Sequence, residues 1–311
     1  MHRASKTTRE GHHRSFGIME IVGVQGPAEV VRARIGAAIF GLVAGPRSAT
    51  HGRVLQAPGE RWFAEDRPIR QVHGDASIFI GGIRALLLQS LHPLAMAAMA
   101  DHSDYRGDPW GRLQRTGFFL AITTYGRESD ARQAIARVRA IHERVSGVAP
   151  DGRPYSATDP RLLTWVHLAE VDSFLAAHTR YGSSRLDQAG RDGYVADMAR
   201  IGAALGVPDP PLCQASLAER IEAYRGELAA TSQSREAARF LLLQPPLPAI
   251  GRAPYGVLAA ASVSLLPGWA RGLLHLPRLP VTETLLVRPA GRAMVQAIRW
   301  ATSAPRPAPA V

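Results

Sequence analysis

The chain has 311 residues, of which 46% are apolar, and a net charge of +11. That much apolar material can bury a substantial core in one large domain or two small ones, which excludes an unfolded polar chain. Of its 37 basic residues only Lys6 is a lysine, so nearly every cation is a planar guanidinium suited to carboxylates and phosphates. The arginines are spread along the chain, and no RNP motif, zinc finger or basic zipper accompanies them, so the charge does not read as nucleic-acid binding. The single Cys213 excludes an internal disulfide, a cysteine-based zinc site and an iron–sulfur cluster held by one chain. A cytoplasmic location is compatible with this and is the expectation.

Residues 1–26 are polar and basic, lack the apolar core of a secretory signal, and are expected to form a disordered leader. Helical periodicity dominates from residue 27 onward, and no stretch sustains the alternation of a sheet. The spacing predicts a first helix over 27–44, started by Pro27 and stopped at Gly45-Pro46. After a polar connection, Asp75 can cap an apolar helix that Pro93 interrupts or kinks before LAMAAMADHS continues. Asp108-Pro109 opens WGRLQRTGFFLAITTYG, with Gly126 expected as a left-handed terminator. Ser129 opens a helix closed by Gly147, with His142 in its middle, and Asp159-Pro160 opens a longer one closed by Gly182. Between these two, an Asp-Gly pair suits a small hairpin. Further helices are expected at about 189–205, 215–231, 234–244, 255–275 and 282–302, followed by a flexible tail at 304–311. The fold class is therefore all-α, one domain over 27–303 of about ten helices. The apolar stretch from Pro254 to Pro277 holds Pro267, Arg271 and His275, so it falls short of a spanning helix and at most touches a membrane surface.

Eleven histidines in a helical protein invite a metal hypothesis. Di-iron bundles need Glu-x-x-His, yet Arg139, Thr164 and Leu175 stand three residues before His142, His167 and His178. HExxH and CxxCH are also absent, so zincin chemistry and covalent haem attachment have no support. His142 lies in ARVRAIHERVSG beside an apolar stripe of Ile135, Val138, Ile141 and Val145, with Arg139 one turn earlier. A neutral imidazole there can bind haem iron while arginines pair with propionates; on spacing alone, a satisfied or exposed helical histidine is the commoner explanation. Arg112, Arg115 and Thr116 share one helix face, which reads either as a cofactor-pocket wall or as a solvated basic stripe. His92, Asp101, His102, Asp104, Tyr105, Arg106 and Asp108 cluster at a helix end, where capping and ion pairing explain more than metal binding does. For His167 and His178, core packing with Trp165 and Phe174 is the simpler account.

Taken together, LLLQSLHPLAMAAMADHSDYRGDP, GRLQRTGFFLAITTYG, ARVRAIHERVSG and DPRLLTWVHLAEVDSFLAAHTRYG, with a weaker match through LLPGWARGLLHLP, resemble the MpaB-type oxygenases that include the rubber-cleaving latex-clearing proteins. The resemblance implies a haem pocket inside the helical domain and a haem b iron bound by a helical histidine with arginine at i−3, the pair Arg139 and His142. It further implies a distal Arg-x-x-Lys-Thr pattern, for which Arg112, Arg115 and Thr116 have the spacing, with arginine in place of lysine. Because arginine effectively never loses its proton, it cannot coordinate iron as lysine can. The activity implied is oxygenation, with dioxygen, of a hydrophobic unsaturated substrate of isoprenoid or lipid type. A haem carrier or sensor without turnover, or a haem-free binding protein for an acidic lipid or metabolite, remains the alternative.

Overall fold

Proline and aspartate punctuate the helices. A proline at the first turn lacks an N–H that would have no partner there anyway, and its fixed φ already suits the helix. The computed structural model describes residues 27–104 and 106–303, and it begins with α1 (Pro27–Ala44), at the bounds the sequence predicts. The leader, the tail and Tyr105 lie outside the described residues. Proline opens α3 (Pro68–His73), α5 (Pro93–His102), α6 (Pro109–Tyr125) and α8 (Pro160–Tyr181). Asp108 Oδ1 accepts from the Gly111 N–H at 2.8 Å and Asp159 Oδ1 from the Arg161 N–H at 2.8 Å, so these two expected caps form. The cap expected of Asp75 does not: Ser77 stands at the N-cap of the apolar helix, and Asp75 Oδ1 accepts from the Ser77 N–H at 2.8 Å ahead of it.

The order is completed by α2 (Ser48–Gln56), α4 (Ile78–Gln89), α7 (Glu128–His142), α9 (Gln188–Leu205), α10 (Gln214–Ala223), α11 (Ser232–Leu243), α12 (Ala249–Leu265), α13 (Gly268–Leu274), the single turn α14 (Pro280–Thr282) and α15 (Arg288–Thr302). The fold is all-α in a single domain, but the described residues are cut into more pieces than the ten expected. The polar connection contains α2 and α3, which their shortness hid. Pro93 and Pro267 turn the chain by 108° between α4 and α5 and by 118° between α12 and α13, separating helices read as nearly continuous. Among the described residues no single helix is long and apolar enough to cross a membrane.

The core centres on α4 and α8. Gly81 lets them approach, since a Cβ there would sit 2.6 Å from the Phe174 ring. Leu87, Leu88, Leu91, Trp165, Leu168 and Tyr194 are fully buried around this contact. α12 lies on α4, and α15 packs on α1 and α12. Three buried charges in and around these helices are paired. Arg84 bonds to Asp172, the Ser173 hydroxyl and the Leu265 carbonyl. Asp75 takes two hydrogen bonds from Arg299, and Arg271 pairs with Glu283.

Two further expectations are corrected. Gly126 is extended, with φ −70° and ψ 170°, not left-handed. It is needed for space: a Cβ there would strike the Ile122 carbonyl oxygen. The helix after it ends at His142, not Gly147, because Ser146–Val148 (β1) pairs antiparallel with Pro154–Ser156 (β2) and draws the chain out of the helix. The hairpin suspected around Asp151-Gly152 is thus real and longer than its turn suggested.

Candidate functional site

α6 and α7 form a helical hairpin joined by Gly126 and Arg127 and packed along each other. Residues equally far from the turn therefore lie level. Arg112 stands fourteen residues before Gly126 and His142 fifteen after Arg127, so the two are level to within about one residue, roughly 1.5 Å of rise. Both sit at the open end. The hairpin packs on α1, α2, α3 and α9, while α8 packs chiefly on α4, α9, α10 and α3.

The inward stripe of α7 is Ala131, Ile135, Val138 and His142, spaced four, three and four apart. Ala131 and Ile135 are buried, Val138 and His142 half-buried. Ile141, assigned to this stripe from the sequence, is instead 44% exposed. His142 therefore occupies the last core-facing position of its helix, where an apolar residue would ordinarily stand. Burial lowers its pKa, so the imidazole is neutral at physiological pH. Among the described residues its ring has no hydrogen-bond partner.

The other predicted residues divide. Arg112 is half-buried and level with His142. Arg115 is exposed and turned back to Asp108, 3.0 Å away at the start of its own helix. Thr116 is exposed. Arg139 is exposed too and donates to the Ala204 carbonyl at 3.5 Å, toward the end of α9. Structure thus brings Arg112 to the level of His142 but leaves Arg115, Thr116 and Arg139 on the outer surface. Leu113 and Ile141, exposed by 38% and 44%, flank Arg112 and His142 in sequence and add apolar surface at the same end. Two half-open hollows, of about 290 and 260 Å³, lie elsewhere.

The cluster around α5 is structural except for His92, which is buried at the start of the helix with neither ring nitrogen hydrogen-bonded among the described residues. Asp101 accepts from the Tyr155 hydroxyl, His102 contacts the Ser146 carbonyl, Asp104 accepts from the Gly107 N–H, and Arg106 pairs with Glu236. Among the described residues no three His, Cys, Asp or Glu side chains are grouped so as to hold a metal ion. His167 packs its ring on α9, 2.7 Å from where a Gly202 Cβ would stand. Burial pushes its pKa down to about 4.

Sequence reasoning missed an interior polar group. His73 Nδ1 lies 2.8 Å from the Thr124 hydroxyl and Nε2 lies 3.4 Å from the Tyr194 hydroxyl. Burial lowers its pKa to about 3. On α8, Glu170 is surrounded by protein, yet part of its side chain stays accessible, and it accepts no hydrogen bond from the described residues. Burial raises its pKa to about 7; the Tyr194 phenol is held far above the usual range by its own burial first and by the field of Glu170 second. A carboxylate on the otherwise apolar WVHLAEV run was the available signal.

An all-helical domain with a half-buried neutral histidine on a helical hairpin defines a class that the comparisons make specific. The chain belongs to the family described as ER-bound oxygenase mpaB/B'/rubber oxygenase, catalytic domain, which matches residues 70–300. Two curated relatives are uncharacterized protein Mb2261 of Mycobacterium bovis and uncharacterized protein Rv2237 of Mycobacterium tuberculosis. Each is 34% identical over 102 residues, which is 32% of this chain and 39% of the relative. The match thus spans about two fifths of those relatives' length. No solved structure matches the chain.

Proposed function

We propose that this protein is a b-type haem-dependent oxygenase that uses dioxygen on a hydrophobic, unsaturated substrate of isoprenoid or lipid type. The observation that carries this reading is the His142 imidazole, neutral and without a hydrogen-bond partner among the described residues, at the open end of the hairpin in a chain of an oxygenase family. The donor set fits the group. A neutral imidazole is a haem-iron ligand, Arg112 and Arg139 present guanidinium groups to propionates, and Leu113 and Ile141 offer apolar contact to a macrocycle.

When bound, haem supplies the oxidative chemistry. The residues of this chain bind and orient. Arg112, Arg115 and Thr116 repeat on one face of α6, so Arg112 reaches the cofactor while Arg115 and Thr116 offer hydrogen-bond donors to dioxygen or substrate. Arg115 keeps its proton, so it donates hydrogen bonds there and is not an iron ligand. Arg139, one turn before His142, either holds a propionate or fixes the position of the α7 terminus against α9.

Purified protein should show a Soret band and close to one b-type haem per chain by pyridine haemochrome assay. His142→Ala should lose that stoichiometry; a His142→Ala protein that keeps it with an unchanged spectrum defeats the assignment. Oxygen consumption with isoprenoid probes then separates turnover from storage.

A further inference from the structure

The larger hollow, about 290 Å³, lies at the other end of the hairpin. Its walls include Tyr125, the last residue of α6, together with Leu55, Phe63, Arg61, Arg70 and Glu65. Tyr125 is thirteen residues beyond Arg112, or roughly 20 Å along the helix, so this is a separate place from His142.

Its two arginines are incompletely satisfied. Arg61 Nη2 donates to the Ala57 carbonyl at 2.7 Å, but its Nη1 is buried with no acceptor. Arg70 stacks its guanidinium over the Tyr125 ring, 5.4 Å from the centroid, while its Nε is buried and also has no acceptor. Neither forms an ion pair among the described residues. Glu65 sits in the same wall but is exposed and bonds to neither. Most guanidinium groups buried elsewhere in this protein have found a carboxylate or a carbonyl, as Arg84 and Arg271 have. Both arginines line the one hollow and neither has a carboxylate partner among the described residues, so an anion placed there would supply the charge partner that each lacks.

The hollow is also held in shape. Arg61 bridges backbone to Arg127 at the hairpin turn, the Glu128 N–H donates to the Glu60 carbonyl at 2.8 Å, and the Tyr125 hydroxyl donates to the Arg70 carbonyl at 3.0 Å. Arg127 already has its carboxylate, because its Nε and Nη2 both donate to Asp130.

We propose that this hollow binds a small carboxylate with an apolar chain, the carboxylate on Arg61 and Arg70 and the chain against Leu55, Phe63 and Tyr125. Guanidinium groups recognise carboxylates through paired N–H donors, and the remaining wall is aliphatic and aromatic. The volume is at the small end of ligand sites, enough for a chain of roughly six to ten carbons. The inference does not depend on haem binding.

Titration calorimetry with octanoate tests it, with acetate as head alone and octanol as tail alone. Octanoate should bind saturably, one per chain, and at least tenfold more tightly than either fragment. Arg61→Gln and Arg70→Gln should each weaken it tenfold or more without lowering the melting temperature, which shows that the loss is not one of folding. Arg70→Lys, which keeps the charge and loses the fork, should also weaken it. Arg112→Gln should leave octanoate binding unchanged. Absence of saturable octanoate binding overturns the proposal, as does binding that survives both glutamine variants or that depends on Arg112.

Discussion

The half of the molecule built on α4, α8, α12 and α15 and the half built on the α6–α7 hairpin differ in how far their polar groups are open to a ligand. In the first, the buried arginines and Asp75 have partners, Asp75 with Arg299, Arg84 with Asp172 and Ser173, Arg271 with Glu283, and the histidines that lack a ring partner, His167 and His178, are sealed in the core. In the second, His142 has no hydrogen-bond partner among the described residues, Thr116 is open to solvent, and Leu113 and Ile141 are exposed beside it. Paired buried charges hold a fold in one arrangement; an accessible unfilled valence beside uncovered apolar surface is what a ligand uses. The contrast marks scaffold and site before any reaction is considered.

The largest effect should come from breaking the scaffold. Asp75 is 6% exposed. Desolvation works against its charge, but the Arg299 hydrogen bonds and the Ser77 contacts outweigh that and hold the carboxyl below its usual range. Asp75→Ala should leave the Arg299 guanidinium and the Ser77 and Ser183 N–H groups without their acceptor and cost about 3–5 kcal/mol in urea unfolding. A loss near zero would mean that the pairs in this half do not define the scaffold.

Next comes the interior group, where the two halves meet and pH acts in two directions. His73 and His167 have folded pKa values of about 3 and about 4, below the unfolded value, so the native state binds fewer protons and stability falls as pH drops below about 6.5. Glu170 is opposite. Its folded pKa of about 7 lies above the unfolded value, so its contribution is full below about pH 4.5 and is lost as pH rises toward 7, by about 3 kcal/mol at most. Glu170→Gln removes that opposing contribution, so the variant should gain relative stability at pH 7 and show a steeper acid-side loss than wild type. Identical stability–pH curves for the two proteins would show that Glu170 is solvated and titrates normally.

How far the sequence reaches depends on how local the cause is. The proline openings and the Asp108 and Asp159 caps are decided within a few residues, and they stand where they were expected. Gly126 was legible as a terminator but not as a space requirement, because the conflict is with a carbonyl one turn back in folded geometry. His142 was legible as a candidate, yet its place at the helix terminus depends on the pairing of two strands that lie beyond it in the chain. The His73, Thr124 and Tyr194 contacts join α3, α6 and α9, and no spacing rule links residues 51 and 121 positions apart.

Turning to the hairpin, His142→Ala should abolish haem binding while changing stability little, because a half-buried ring at a helix end has few native contacts to lose. The smallest stability effect belongs to Arg115. Its pair with Asp108 joins side chains that are 69% and 52% exposed, and ion pairs that accessible contribute little. Arg115→Gln should therefore leave the melting temperature unchanged. If Arg115 serves only its helix start, the variant should also retain full oxygen consumption, and Asp108→Asn, which keeps the cap but loses the charge, should behave the same way. If Arg115 donates to dioxygen or substrate, Arg115→Gln should lower turnover at unchanged haem content while Asp108→Asn, by freeing the guanidinium, does not. The two variants break the same ion pair from opposite sides, so a difference in turnover between them can come only from what Arg115 does once Asp108 no longer holds it.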